Sequence, residues 1–145
     1  MAVAQRRSFT GKVALVTGGS KGIAAAIARR LASDGASVAF TYSSSEEKSP
    51  ELASEIKSVG GRVLALKADS ASAEELRAAV NKASETLGPL DIFVSKAGIL
   101  TKGTIDADKL EDFDRMVAIN VRAAFVGIQA AAQEMKDGGR IVLHR

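Results

Sequence analysis

From Lys12 onward, short apolar runs of strand length alternate with longer amphipathic segments. Lys12 to Thr17 carries no polar alternation, the pattern of a strand covered on both faces. A glycine-rich turn follows. In the next segment, Ile23 to Ser33, residues Ile23, Ile27 and Leu31 recur every four positions and predict one apolar helical face. Asp34 and Gly35 stop that helix, and Ser37 to Thr41 reads as a second strand. Pro50 to Val59 predicts a second helix with Leu52, Ile56 and Val59 on one face, ended by Gly60 and Gly61. Arg62 to Lys67 is the third strand. Ser72 to Leu87 is a helix, with Ser72 placed to cap it and Glu74 and Glu75 favourable in its first turn. Gly88 and Pro89 close that helix, and Asp91 to Ser95 is the fourth strand. After a loop, a long helix is expected from about Leu110 to Met135. Gly138 and Gly139 break it, and Arg140 to His144 starts a fifth strand.

Strict alternation of strands and helices implies right-handed crossovers and a parallel, doubly wound α/β sheet. The expected strand order is 3-2-1-4-5, with a ligand crevice where the order reverses, at the carboxyl ends of strands 1 and 4. Residues 1–10 read as an N-terminal arm and 11–145 as one domain, with no low-complexity linker and no repeat.

Composition narrows the chemistry. With 145 residues, 46% hydrophobic and 26% charged, the chain has the make-up of one globular domain. It has no cysteine and a single histidine, His144, which excludes disulfides, thiolate catalysis, cysteine- or multi-histidine metal sites and most hydrolase triads. No metal site is expected. The net charge of +3 comes from 20 basic and 17 acidic residues dispersed along the chain, so no nucleic-acid surface is expected. Apolar stretches are strand-sized, which argues against a membrane span, and residues 1–8 lack a signal-peptide core. A cytoplasmic location is the expectation.

The turn between the first strand and first helix, Thr17 to Ala24, reads Thr-Gly-Gly-Ser-Lys-Gly-Ile-Ala. Backbone amides at a helix N-terminus, together with the helix dipole, make an anion site. Gly18 and Gly22 allow a sharp turn and a close approach to a diphosphate, with Gly19, Ser20, Lys21 and Ile23 beside them. The competing reading is a tight turn with no ligand; the place of this turn after the first strand of an alternating pattern favours the ligand.

The spacing Gly18-x-x-x-Gly22-x-Ala24 resembles the short-chain dehydrogenase/reductase family, whose signature is Thr-Gly-x-x-x-Gly-x-Gly. Other residues extend the resemblance in order. Asp69, with Ser70 after it, stands where the family sets an Asp against the adenine. Ser95-Lys96-Ala97-Gly98 resembles the family's Asn-Asn-Ala-Gly, Asn120 matches the Asn of its fourth helix, and Gly139 to Val142 resembles its fifth strand. The 3-oxoacyl-acyl-carrier-protein-reductase-like members are the most similar group. The resemblance implies a Rossmann-like domain, a nicotinamide cofactor and carbonyl reduction by hydride transfer.

NAD-preferring sites place an acid at the end of strand two to bind the ribose 2′-hydroxyl. Here Thr41 to Ser45 carries none. The hydroxyls of Tyr42, Ser43 and Ser44 can donate to a 2′-phosphate and Lys21 can supply charge, so NADP(H) is expected over NAD(H).

Three positions depart from the family pattern. Ala24 replaces a Gly, adding a methyl expected to crowd the helix against the sheet. Lys96 replaces an Asn and cannot accept a hydrogen bond; a solvent-facing lysine is expected there, with a reach toward a phosphate as the alternative, and Lys96 stands among the cofactor-binding candidates. Leu143 to Arg145 stand where the family carries smaller residues before its catalytic Ser. That Ser and the Tyr-x-x-x-Lys pair are absent. The one tyrosine, Tyr42, sits by the predicted ribose site, so of the family's four catalytic positions only Asn120 is present. The expectation is a chain that is incomplete relative to the family, truncated before its catalytic residues and inactive alone. A non-catalytic nucleotide-binding or partner-pairing protein is the alternative. The exposed edge of strand 5 and an apolar face of Phe113, Met116, Val117, Val121 and Phe125 are expected to favour association.

Overall fold

The computed structural model describes residues 8–43 and 48–144. Five strands form one parallel sheet: β1 (Val13–Thr17), β2 (Ser37–Tyr42), β3 (Val63–Lys67), β4 (Leu90–Ser95) and β5 (Met135–Leu143), in the expected order β3-β2-β1-β4-β5. Helices α1 (Gly22–Ser33) and α2 (Lys48–Ser58) cover one face, and α3 (Ala73–Leu87) and α5 (Ala123–Glu134) the other. Helix α4 (Leu110–Val117) leads into α5. All five residues of β1 are buried, as its unbroken apolar run requires. Their side chains alternate between the two layers: Ala14 and Val16 pack with Val38 and Phe40 under α1 and α2, while Val13 and Leu15 pack with Phe93, Val80 and Ala131.

Two helical faces differ from the periodicity. In α1 the buried residues are Ala24, Ala25, Ala28 and Ala32, whereas Ile23 is exposed and Ile27 and Leu31 are half-buried. The helix lies so close to the sheet that only alanines fit the contact line, and the branched residues flank it. The Ala24 methyl, expected to crowd this packing, is 2% exposed and is part of the core with Val16 and Phe40. In α2, Leu52 and Ile56 are buried, but Val59 lies past the last turn and is exposed. Ser72 caps α3 as expected, its Oγ accepting from the Glu75 amide at 3.2 Å.

The long helix is broken in a way the sequence does not announce. Between α4 and α5 the backbone makes a π-helical turn, Ala118–Arg122, an insertion often found at functional sites. The whole stretch, Leu110–Glu134, has 25 residues and holds an 18-residue window of mean hydropathy 1.2, enough by length and composition to cross a membrane and longer than the strand-sized apolar stretches expected. Only weak evidence follows from this, because 44% of that window is buried inside the protein, with Ala123, Val126, Ala130 and Ala131 against α3 and β4.

β5 begins directly after Glu134. Leu90 pairs with Met135 and Ile92 with Arg140, so residues 136–139 bulge out opposite Asp91 alone. Gly138 and Gly139 therefore shape a bulge within β5 and do not break a helix; the regular ladder runs from Arg140, where the fifth strand was expected. Buried Asp91 ties this end of the sheet. Its Oδ2 accepts from the Val13 amide at 2.9 Å, and Lys12 and Lys136 approach it at 3.9 and 3.6 Å.

Candidate cofactor groove

At the carboxyl ends of β1 and β4, where the strand order reverses, lies an open groove of about 510 Å³. Its floor is the glycine loop. Gly18 has φ of 69°, and a Cβ there would stand 3.0 Å from the Ala97 Cα, so only glycine fits between loop and β4. The amides of Gly18 and Gly19 turn away from the groove: that of Gly18 donates to Thr41 Oγ1 and that of Gly19 to the Thr41 carbonyl, both at 3.1 Å. A Cβ on Gly19 would lie 2.5 Å from the Phe40 Cβ, and Gly19 does not line the groove. It acts as a spacer under the loop, not as the ligand contact expected. The donors facing the groove belong to the residues that follow. Gly22, with φ of 59°, opens α1, whose N-cap residue Lys21 offers no side-chain cap. The first-turn amides of a helix have no intrahelical acceptor, so this end retains free donors and the positive end of a dipole.

Thr17 joins the loop to β4. Its Oγ1 accepts from the amides of Lys96 and Ala97 at 3.1 and 3.4 Å and donates to the Val94 carbonyl at 3.5 Å. Lys96, a cofactor-binding candidate from the sequence, is half-buried and lines the groove. Tyr42 and Ser43 close the β2 side, and among the described residues no carboxylate stands at that strand's end.

At the β3 side, Asp69 Oδ1 accepts from the Ala71 amide at 2.9 Å, and Oδ2 meets Arg115 at 3.5 Å. Arg122 donates to the Ala71 carbonyl at 2.6 Å. The far wall is therefore α4 and its π turn, which grip the loop after β3 through two arginines. The same turn aims Asn120 at the loop after β4: its Oδ1 accepts from the Ile99 amide and its Nδ2 donates to the Ile99 carbonyl, each at 2.8 Å. Asn120 thus stands behind the groove, holding one of its walls.

Of the residues singled out in the sequence, Gly18, Ser20, Lys21, Gly22, Ile23, Tyr42, Ser43, Asp69, Ser70, Lys96, Ala97 and Gly98 line this one groove. Ser44 lies outside the described residues. Thr41, Ile99, Arg115 and Ile119 also line it and were not foreseen. Arg115 precedes Ile119 by one helical turn, so the two share a face, and that spacing was a usable signal.

Similarity to known proteins agrees with this geometry. The family model for short chain dehydrogenases matches residues 12–143. A hydroxynaphthalene reductase-like protein of Metarhizium guizhouense is 42% identical over 94% of this chain and 51% of its own length. A short-chain dehydrogenase/reductase from Serratia marcescens superposes with a TM-score of 0.90 at 52% identity, over 93% of this chain and 55% of that one. A short-chain dehydrogenase from Burkholderia cenocepacia, solved in complex with NADP, superposes with a TM-score of 0.91 at 49% identity over the same shares, 93% and 55%. The chain spans about half the length of these relatives. With the matched span reaching from the start of β1 to the end of β5, the chain belongs to the short-chain dehydrogenase family.

Proposed function

We propose that this groove binds NADP(H), in preference to NAD(H), as the cofactor side of a carbonyl-reducing oxidoreductase of the 3-oxoacyl-reductase type. The observation that carries the reading is the β2 end of the groove, where Tyr42 and Ser43 stand and, among the described residues, no acid competes with a 2′-phosphate. The NADP bound to the Burkholderia relative supports it. The residues present fit such a cofactor. The amides around Ser20 to Ile23 hold the diphosphate, Lys21 with Tyr42 and Ser43 meets the 2′-phosphate, Asp69 and Ser70 border the adenine, and Ala97 and Gly98 floor the path toward the nicotinamide. The cofactor, when bound, supplies the hydride. Titration of the chain with NADPH and with NADH, followed by nucleotide fluorescence, tests the reading: saturable binding with tighter NADPH is expected, and no saturation by either overturns it.

These 145 residues contain neither a Tyr-x-x-x-Lys pair nor the Ser of the resembled family, so the chain by itself supplies no acid for the carbonyl oxygen. We infer no useful turnover of acetoacetyl-type thioesters by the chain alone, in a cytoplasmic setting; robust NADPH oxidation overturns that inference. A second reading, a partner-pairing role, is favoured by one observation. Phe113, Val117, Val121 and Phe125 are 57, 41, 53 and 66% exposed along one helical stripe, and Ile141, Val142 and Leu143 are exposed on edge strand β5. Light scattering over a range of concentrations is expected to show association that Phe125→Gln weakens; a clean monomer throughout removes this reading.

A further inference from the structure

Lys96 and Ala24 are the groove-lining residues at which this chain leaves the family pattern, and of the two only Lys96 brings a charge. β1 and β4 run in register through Thr17 and Ser95, so Gly18 and Lys96 leave the sheet side by side. Thr17 Oγ1 holds the Lys96 amide at 3.1 Å, which fixes the backbone with no help from the side chain. The side chain is half-buried, and among the described residues no carboxylate lies within 4.0 Å of its ammonium. The groove's one guanidinium, that of Arg115, is by contrast met by Asp69.

A lysine that lines the groove without a counter-charge is available to an anionic ligand. It shares the groove with the uncapped N-terminus of α1, the positive end of a helix dipole. An anion seated in the groove can meet both.

We propose that Lys96 is a ligand of the cofactor diphosphate, donating from the β4 side to the same group that the first-turn amides of α1 hold from the other. An Asn at this place brings no charge, so the contact is this chain's own. The proposal rests on the dinucleotide reading of the groove.

The diphosphate is common to NADPH and NADH, whereas the 2′-phosphate belongs to NADPH alone, and this separates the possible targets of the ammonium. Dissociation constants of both nucleotides are measured for the wild-type chain and for Lys96→Met, Lys96→Asn and Lys96→Arg, with thermal melts to confirm folding. Loss of one half-exposed, charge-assisted hydrogen bond raises both constants about five- to tenfold in the Met and Asn variants, with their ratio constant within about twofold. Lys96→Arg keeps both close to wild type, and raised salt narrows the gap between wild type and Met. The proposal is overturned if Lys96→Met binds both nucleotides as wild type does, which puts the side chain in solvent, or loses NADPH selectively, which puts it on the 2′-phosphate. A wild-type chain that binds neither nucleotide overturns the dinucleotide reading itself, and this proposal with it.

Discussion

Thr41 is where fold and cofactor site meet, and Thr41→Val isolates what it does. The residue is 1% exposed, its Oγ1 accepts from the Gly18 amide at 3.1 Å, and its carbonyl accepts from that of Gly19 at the same distance. Valine keeps the branched shape and the backbone bond but deletes the side-chain acceptor, leaving a part-buried amide with no partner. The desolvation left uncompensated costs about 1–3 kcal/mol. With a urea m-value of about 2 kcal/mol/M for a domain of this size, the denaturation midpoint falls by about 0.5–1.5 M. The Gly18 amide then seeks water or the groove, and the loop that presents the next amides to a diphosphate loses its anchor. An affinity loss of about tenfold for NADPH and NADH alike corresponds to about 1.4 kcal/mol of the same perturbation. Thr41→Ser retains the acceptor and is expected to restore most of both quantities. Urea denaturation followed by circular dichroism, with nucleotide titration of the same samples, makes the measurement. A valine variant with wild-type midpoint and wild-type affinity refutes the anchoring argument, and a loss that serine does not repair refutes the role of the hydroxyl.

Asn120→Ala removes both 2.8 Å bonds to Ile99, and at about 0.5–1.5 kcal/mol each it is expected to lower the melting temperature by several degrees and raise amide exchange in residues 97–101. Unchanged exchange there means that the π turn is not what holds that loop. Asp91→Leu leaves the Val13 amide without its acceptor and two lysines without their acid, so it is expected to destabilise by about 1–3 kcal/mol, whereas Asp91→Asn, which keeps an acceptor, costs less. Equal losses in the two variants count against the hydrogen bond as the main contribution. The Arg29 side chain, hydrogen-bonded to Glu55, holds that carboxyl below its ordinary value of 4.5. Its contribution to stability is therefore present above that value and is lost as pH falls through the lower folded-state value. The difference between wild type and Glu55→Gln in urea midpoint is small, because the pair is exposed, and it is expected to shrink on acidification; a difference that grows in acid contradicts the assignment.

The order of elements was legible because strands buried on both faces read as continuous apolar runs, and because Gly and Ser punctuate the helices at Asp34-Gly35, Gly60-Gly61 and Ser72. The groove was legible for the same reason: a doubly wound sheet has one place where the strand order reverses, and the glycine loop, Asp69 and Lys96 all follow strands that end there. What stayed hidden depends on distances between elements. The α1 face was misread because periodicity ranks residues by apolarity, whereas close helix–sheet contact selects the smallest side chains, here Ala24, Ala25, Ala28 and Ala32. The roles of Gly18 and Gly19 shifted because Thr41, remote in sequence, takes their amides. The π turn carries no periodicity of its own. It exists where Asn120 and Arg122 must reach two different loops from one helix.

Those two grips bear on how binding relates to chemistry in this chain. Every described residue lining the groove falls between Gly18 and Ile119, on the loops after β1, β2, β3 and β4, the end of β2, the start of α1, and α4 with its π turn. Among the described residues none of β5 lines it, and β5 pairs only with β4 at the edge of the sheet. Under the proposed function nucleotide affinity and carbonyl reduction are separable: the first rests on the Thr41 anchor, the α1 terminus and the Asn120 and arginine grips, whereas these residues hold neither the Ser nor the Tyr-x-x-x-Lys pair that the resemblance assigns to the second. Measured on these residues alone, NADPH binding without NADPH oxidation is the outcome that the proposed function predicts, and turnover would contradict it.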